Sequence, residues 1–88
     1  MHPKTILCVA SYFKGARFIQ AAKAQGWRVL LLTSLSIKDE PWPWASIDDV
    51  FYIPDDNHKW HMPDVIKGVS HLARRERLDK IVPLDDLD

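Results

Sequence analysis

The chain has 88 residues, which is room for one domain with a modest core, and its 47% hydrophobic and 27% charged composition is that of a folded globular protein. Its 12 Lys and Arg balance 12 Asp and Glu, so the basic footprint of a nucleic-acid binder is missing. The single cysteine, Cys8, excludes an internal disulfide and a Cys-rich metal framework.

The apolar run near the N-terminus is too short for a secretory leader and far too short to cross a membrane, so the expected compartment is the cytoplasm. Residues 5–11 (TILCVAS) form a nearly continuous apolar run, the pattern of a strand buried on both faces. Residues 12–15 are read as a turn. From Gly15 the period changes, with Phe18, Ile19 and Ala22 on one helical face, and Gly26 supplies a helix stop. Residues 28–34 (RVLLLTS) give a second buried strand. Strand, helix and strand in that order predict a parallel pair joined by a right-handed crossover.

Residues 35–49 break the rhythm. Pro41 and Pro43 hold their predecessors extended, and only a short helical turn over residues 45–48 fits. Residues 50–53 (VFYI) are a third strand, and residues 55–61 a polar loop. Pro63 suits a first helical turn, Asp64 complements the dipole, and Val65, Val69 and Leu72 recur on one face. Arg74, Arg75 and Arg77 are read as partners of that helix's carbonyl end. Residues 80–84 (KIVPL) are a fourth strand, placed at an edge because Pro83 cannot donate to a ladder. The predicted architecture is a three-layer α/β/α domain over residues 1–88, with a four-stranded parallel sheet in the doubly wound order 3-2-1-4.

In such sheets ligands bind at the carboxyl ends of the strands, where the order reverses. That puts the loop Ser11, Tyr12, Phe13, Lys14, Gly15, Ala16 and Arg17 opposite Asp85 and Asp86. Free amides at the following helix, with Lys14 and Arg17, suit a phosphate or carboxylate; the plainer reading is a tight turn at Gly15 with solvated cations. The loop has one glycine and is neither a dinucleotide fingerprint nor a P-loop. The terminal acids are read as helix caps in preference to a metal site. His58 and His61 lack further ligands for zinc, and Cys8 lacks a positive neighbour to activate it. Trp42 and Trp44 serve either as a partner surface or, preferably, as cover for the sheet where a helix is missing.

The succession TILCVAS, the turn Gly15-Ala16-Arg17, FIQAAKAQGWRVLLLTS, VFYIPD, a helix and DKIVPLDDLD resembles the N-terminal, biotin-carboxylase-like domain that precedes the catalytic core of ATP-grasp enzymes. The Pro/Trp segment departs from the commonest family pattern, which has a regular second helix there. The resemblance implies a Rossmann-like fragment of an ATP-dependent ligase that activates a carboxylate as an acyl phosphate. Its ATP and Mg2+ would be held by downstream ATP-grasp domains, and this fragment would bind no cofactor and have no catalytic residue of its own. The substrate-side residues would be Ser11, Tyr12, Lys14, Gly15, Ala16, Arg17, Asp85 and Asp86, facing a small-molecule carboxylate. Bare surface and an open fourth strand imply self-association, as a homodimer or larger assembly, with no nucleic-acid or membrane partner. The alternatives are a stand-alone Rossmann-like module that takes a nucleotide or small anion, and an interaction domain that uses Trp42 and Trp44.

Overall fold

Two apolar runs organise the chain. In the computed structural model, which describes residues 3–56 and 59–86, these runs are β1 (Thr5–Ala10) and β2 (Arg28–Ser34), paired in parallel with Thr5 opposite Arg28 and Ala10 opposite Thr33. Between them lies α1 (Ala16–Ala24), entered through Gly15 and left through Gly26. Both glycines have positive φ, 83° and 91°, a backbone state that costs other L-residues energy.

After β2 the chain makes a 3-10 turn over Leu35–Ile37 and another over Trp44–Ser46, then enters β3 (Asp49–Ile53). The second turn starts one residue before the helical turn that the sequence suggests. A two-residue hairpin, β4 (Asp55–Asp56) with β5 (Lys59–Trp60), stands where the sequence predicts a polar loop. Then come α2 (Met62–Arg75), β6 (Lys80–Pro83) and a 3-10 turn over Leu84–Asp86. Arg77 lies past the end of α2 and faces Asp79, with Nε and Oδ1 3.5 Å apart, so it is not a last-turn residue.

The main sheet has the order β3-β2-β1-β6, all parallel, which is the predicted 3-2-1-4 with β6 as the fourth strand. Strand alternation splits the core in two. Ile6, Cys8 and Ala10 of β1 and Val29 and Leu31 of β2 face α1, against Ile19 and Ala22. Leu7, Leu30 and Leu32 face α2, against Val65 and Leu72. Trp42 completes the α1 layer. It is buried in the same cluster as Ile37, with half-buried Ile47 packed against that cluster, donates its Nε1–H to the Ile37 carbonyl at 3.1 Å, and receives Phe13 edge-on with ring centroids 4.9 Å apart. It therefore covers sheet where a helix is missing and is not a partner surface; of the pair only Trp44 is exposed.

Loop carboxylates tie down strand ends. Asp48 accepts from Lys23 Nζ at 2.7 Å and from the Val29 amide at 2.7 Å. Partial burial pushes this carboxyl up, but the Lys23 hydrogen bond, the Val29 amide and the charges of Lys23 and Arg28 outweigh it and hold Asp48 below the usual carboxylate range. Asp79 Oδ2 accepts the Thr5 amide at 2.8 Å at the start of β1.

Cys8 has no exposed surface, and burial pushes its thiol up from an ordinary 9.0 to about 12. The folded protein should therefore leave Cys8 unlabelled by a thiol reagent at neutral pH, with reaction following unfolding. The native state keeps a proton that the unfolded chain releases above its own pKa. The Cys8 contribution to stability is thus full below pH 9 and fades as pH rises toward 12, a slope that Cys8→Ala should lack. Rapid labelling of native protein, or equal alkaline slopes in the two proteins, would contradict this packing.

Candidate functional site

The sheet order reverses between β1 and β6, and the loop after β1 meets the turn after β6 there. The meeting is a set of hydrogen bonds made by one carboxylate. Asp85 accepts the Ser11 amide at 3.1 and 3.0 Å and the Ser11 hydroxyl at 2.6 Å. Lys14 Nζ donates to the Asp85 carbonyl at 3.3 Å, which draws the middle of the loop over the same turn. Asp85, which the strand order places opposite this loop, is thus a tie across 74 positions of sequence.

The neighbouring strand extends this network. Trp60 Nε1 donates to Ser34 Oγ at 2.6 Å, Ser34 Oγ donates to the Ser11 carbonyl at 3.4 Å, and Thr33 Oγ1 donates to the Ala10 carbonyl at 2.7 Å. Ser36 adds hydrogen bonds from its amide and hydroxyl to Asp55, which anchors β4 to the end of β2. The carboxyl rim of the sheet is thus a connected polar edge running from β5 through β2 and β1 to the turn after β6.

Gly15 is the pivot of the site. Besides its positive φ, a Cβ there would stand 2.9 Å from Leu84 Cδ1, in the residue before Asp85. Bare backbone lets the loop lie against that turn. Gly15 is also the N-cap of α1, and no side chain caps the helix, so its first-turn amides are directed toward the rim without a side-chain acceptor. Ala16 opens the helix, Arg17 follows on an exposed position, and Tyr12 projects into solvent.

The structure therefore brings together Ser11, Lys14, Gly15 and Asp85. Tyr12 and Arg17 flank this group, and Asp86 lies in the turn that carries Asp85. Ser34 belongs to the rim that the strand order assigns to residues 33–36, but its hydrogen bonds were not foreseen; Trp60 was missed, because it falls in the stretch read as a polar loop and no local signal marks it. Chemically the loop offers amides, an ammonium and a guanidinium around one fixed carboxylate. Lys14 Nζ and the Ser11 amide already serve Asp85, the first-turn amides of α1 have no side-chain cap, and Arg17 is exposed on that turn.

Among the described residues no group of three His, Cys, Asp or Glu side chains could hold a metal ion. His58 of the weighed histidine pair lies outside the described residues, as do His2, Asn57 and Asp88. No helix among the described residues is long and apolar enough to cross a membrane. No protein-family model matches the chain, and neither does any curated protein or solved structure compared with it.

Replacing Asp85 by Ala strips three hydrogen bonds from Ser11 and should cost about 1–3 kcal/mol of stability, since a part-buried amide loses its acceptor. In a denaturation double-mutant cycle Ser11→Ala and Asp85→Ala should couple by at least about 0.5 kcal/mol. Strict additivity would mean that the tie does not hold the loop.

Proposed function

We propose that this chain is the N-terminal, substrate-side domain of an ATP-grasp ligase, one that joins a carboxylate to an amine or thiol through an acyl phosphate. Beyond the succession of sequence elements, the observation that carries this reading is an uncovered apolar strip beside the edge strand. α2 leans toward β3. Its Arg75 guanidinium lies 5.9 Å from the Phe51 ring centroid, and a Cβ at Gly68 would stand 3.0 Å from Ile53 Cδ1. On its other flank Met62 and Ile66 are each 60% exposed, and Ile81 of β6 is 51% exposed. A right-handed crossover from β6 to a further strand would lay its helix on this same face, beside α2. Apolar area left open where another helix belongs is what a domain excised from a larger ligase would present.

In this role the chain supplies no chemistry of its own. The loop from Ser11 to Arg17 would form one wall of the cleft, with the α1 amides, Lys14 and Arg17 toward the substrate carboxylate and Asp85 holding the wall in place. ATP and Mg2+ would be held by downstream domains. Two tests bear on this. The reading frame should run on past Asp88 into an ATP-binding core, and a stop codon there would overturn the proposal. In calorimetry, residues 1–88 with Mg2+ and ATP should give no micromolar isotherm. A one-to-one micromolar isotherm would replace the ligase fragment with a stand-alone nucleotide-binding module.

The bare strip also predicts self-association. β6 is an edge, and copies that pair along it would cover Met62, Ile66 and Ile81. Sedimentation of residues 1–88 should show a concentration-dependent dimer or larger species, which Ile66→Lys with Ile81→Lys abolishes while the unfolding midpoint changes little. A monomer at every concentration would refute this.

A further inference from the structure

At the opposite end of the sheet, where the strands begin, a cavity of about 540 Å3 lies between the start of β1, the start of β2 and the chain leaving α2. Its walls carry four cations, Lys4, Arg28, Arg75 and Arg77, against two acids, Glu76 and Asp79. The chain as a whole has no net charge, so this excess is local.

Both acids are already engaged. Glu76 Oε1 accepts from Arg28 Nε at 2.6 Å, and that hydrogen bond, with the charge of Glu76 behind it, raises the Arg28 pKa above its ordinary value. Asp79 takes the Thr5 amide through one oxygen and faces Arg77 through the other. Among the described residues Lys4 and Arg75 pair with no carboxylate. Subtracting one cation for each acid leaves an excess of two cations among the lining residues, with Asp48 and Asp49 outside the cavity also acting on Arg28. The carbonyl end of α2 points this way and opposes an anion by at most about 1 kcal/mol at an exposed site, so any anion bound here is held by side chains.

We infer that this cavity is a binding site for the phosphate group of a phosphorylated small molecule. An excess of two cations balances a phosphate dianion, and guanidinium forks match its oxygens in a way that an ammonium alone does not. The volume falls within the range of small-molecule sites and leaves room for an organic portion beyond the phosphate. Arg28 is held by Glu76, so one of the three guanidiniums is partly fixed before a ligand arrives, while Arg75 rests over Phe51, which does not line the cavity. Arg77, with its side chain 92% exposed, is held only by the 3.5 Å pair with Asp79 and has room to close over the ligand. The site stands apart from the Ser11–Arg17 loop and does not rest on the ligase reading.

The test is an amide NMR titration of the 88-residue chain at low ionic strength, with inorganic phosphate in one arm and ribose 5-phosphate in the other. Saturable shifts at Lys4, Thr5, Arg28 and Arg77, with a dissociation constant below about 1 mM in the sugar phosphate arm, support the site. Tighter binding of the sugar phosphate than of free phosphate identifies the organic portion as part of the ligand. Both Arg75 and Arg77 are exposed, so Arg75→Gln with Arg77→Gln should keep the unfolding midpoint and weaken binding at least about tenfold. Lys14→Gln, at the other end of the sheet, should leave it unchanged. Failure to saturate in either arm, insensitivity to the paired arginine substitutions, or shifts centred on residues 11–17 would overturn the assignment.

Discussion

Everything in this small domain follows from the burial of β1 and β2 on both faces. Leu7 and Cys8 are neighbours in β1 that point to opposite sides, and both are fully buried; Leu30 and Leu31 repeat this in β2. Each fully buried leucine contributes about 1.5–3 kcal/mol relative to exposure, and only if something apolar covers it. Two central strands of this kind require cover above and below. α1 with the Trp42 segment provides one layer, and α2 provides the other.

That requirement also sets where polar groups collect. The middle of the sheet is closed to them, so carboxylates work at its two rims. Asp79 and Asp48 hold the amides of Thr5 and Val29 where β1 and β2 begin, and Asp85 holds Ser11 where β1 ends. Each tie anchors a strand end against a segment distant in sequence. The loop from Ser11 to Arg17 is consequently positioned by the core beneath it and by one acid beside it, which makes it a shaped wall and not a slack connection. The cover is uneven as well. α2 serves β2 and β3 closely and leaves Ile81 of β6 open, so the domain has one finished flank and one unfinished flank.

Much of the fold was legible because its signals are local. RVLLLTS is a continuous apolar run bounded by Trp27 and a serine-rich turn, and β2 spans it residue for residue. Gly15 and Gly26 mark the ends of α1 because each takes a positive φ. Crossover handedness then left few strand orders, and the observed order is among them. The hairpin of β4 and β5 was not legible, since two-residue strands carry no period. What stabilises it lies elsewhere in sequence, through Ser36 on Asp55 and Ser34 under Trp60. The site was legible by position alone. Topology placed Ser11 near Asp85, but the choice of Asp85 as an anchor for the Ser11 amide is a tertiary event with no sequence period behind it.

Native-state hydrogen exchange tests the central claim, that the doubly buried pair is the structural keystone. The amides of Leu7, Cys8, Val9, Leu30, Leu31 and Leu32 should exchange only through global unfolding, with one shared free energy equal to that from denaturant titration. Those of β4 and β5 should exchange at far lower cost. If the β1 and β2 amides instead opened locally, or if either strand exchanged as readily as the hairpin, the sheet would not depend on burial of that pair, and the account would be wrong.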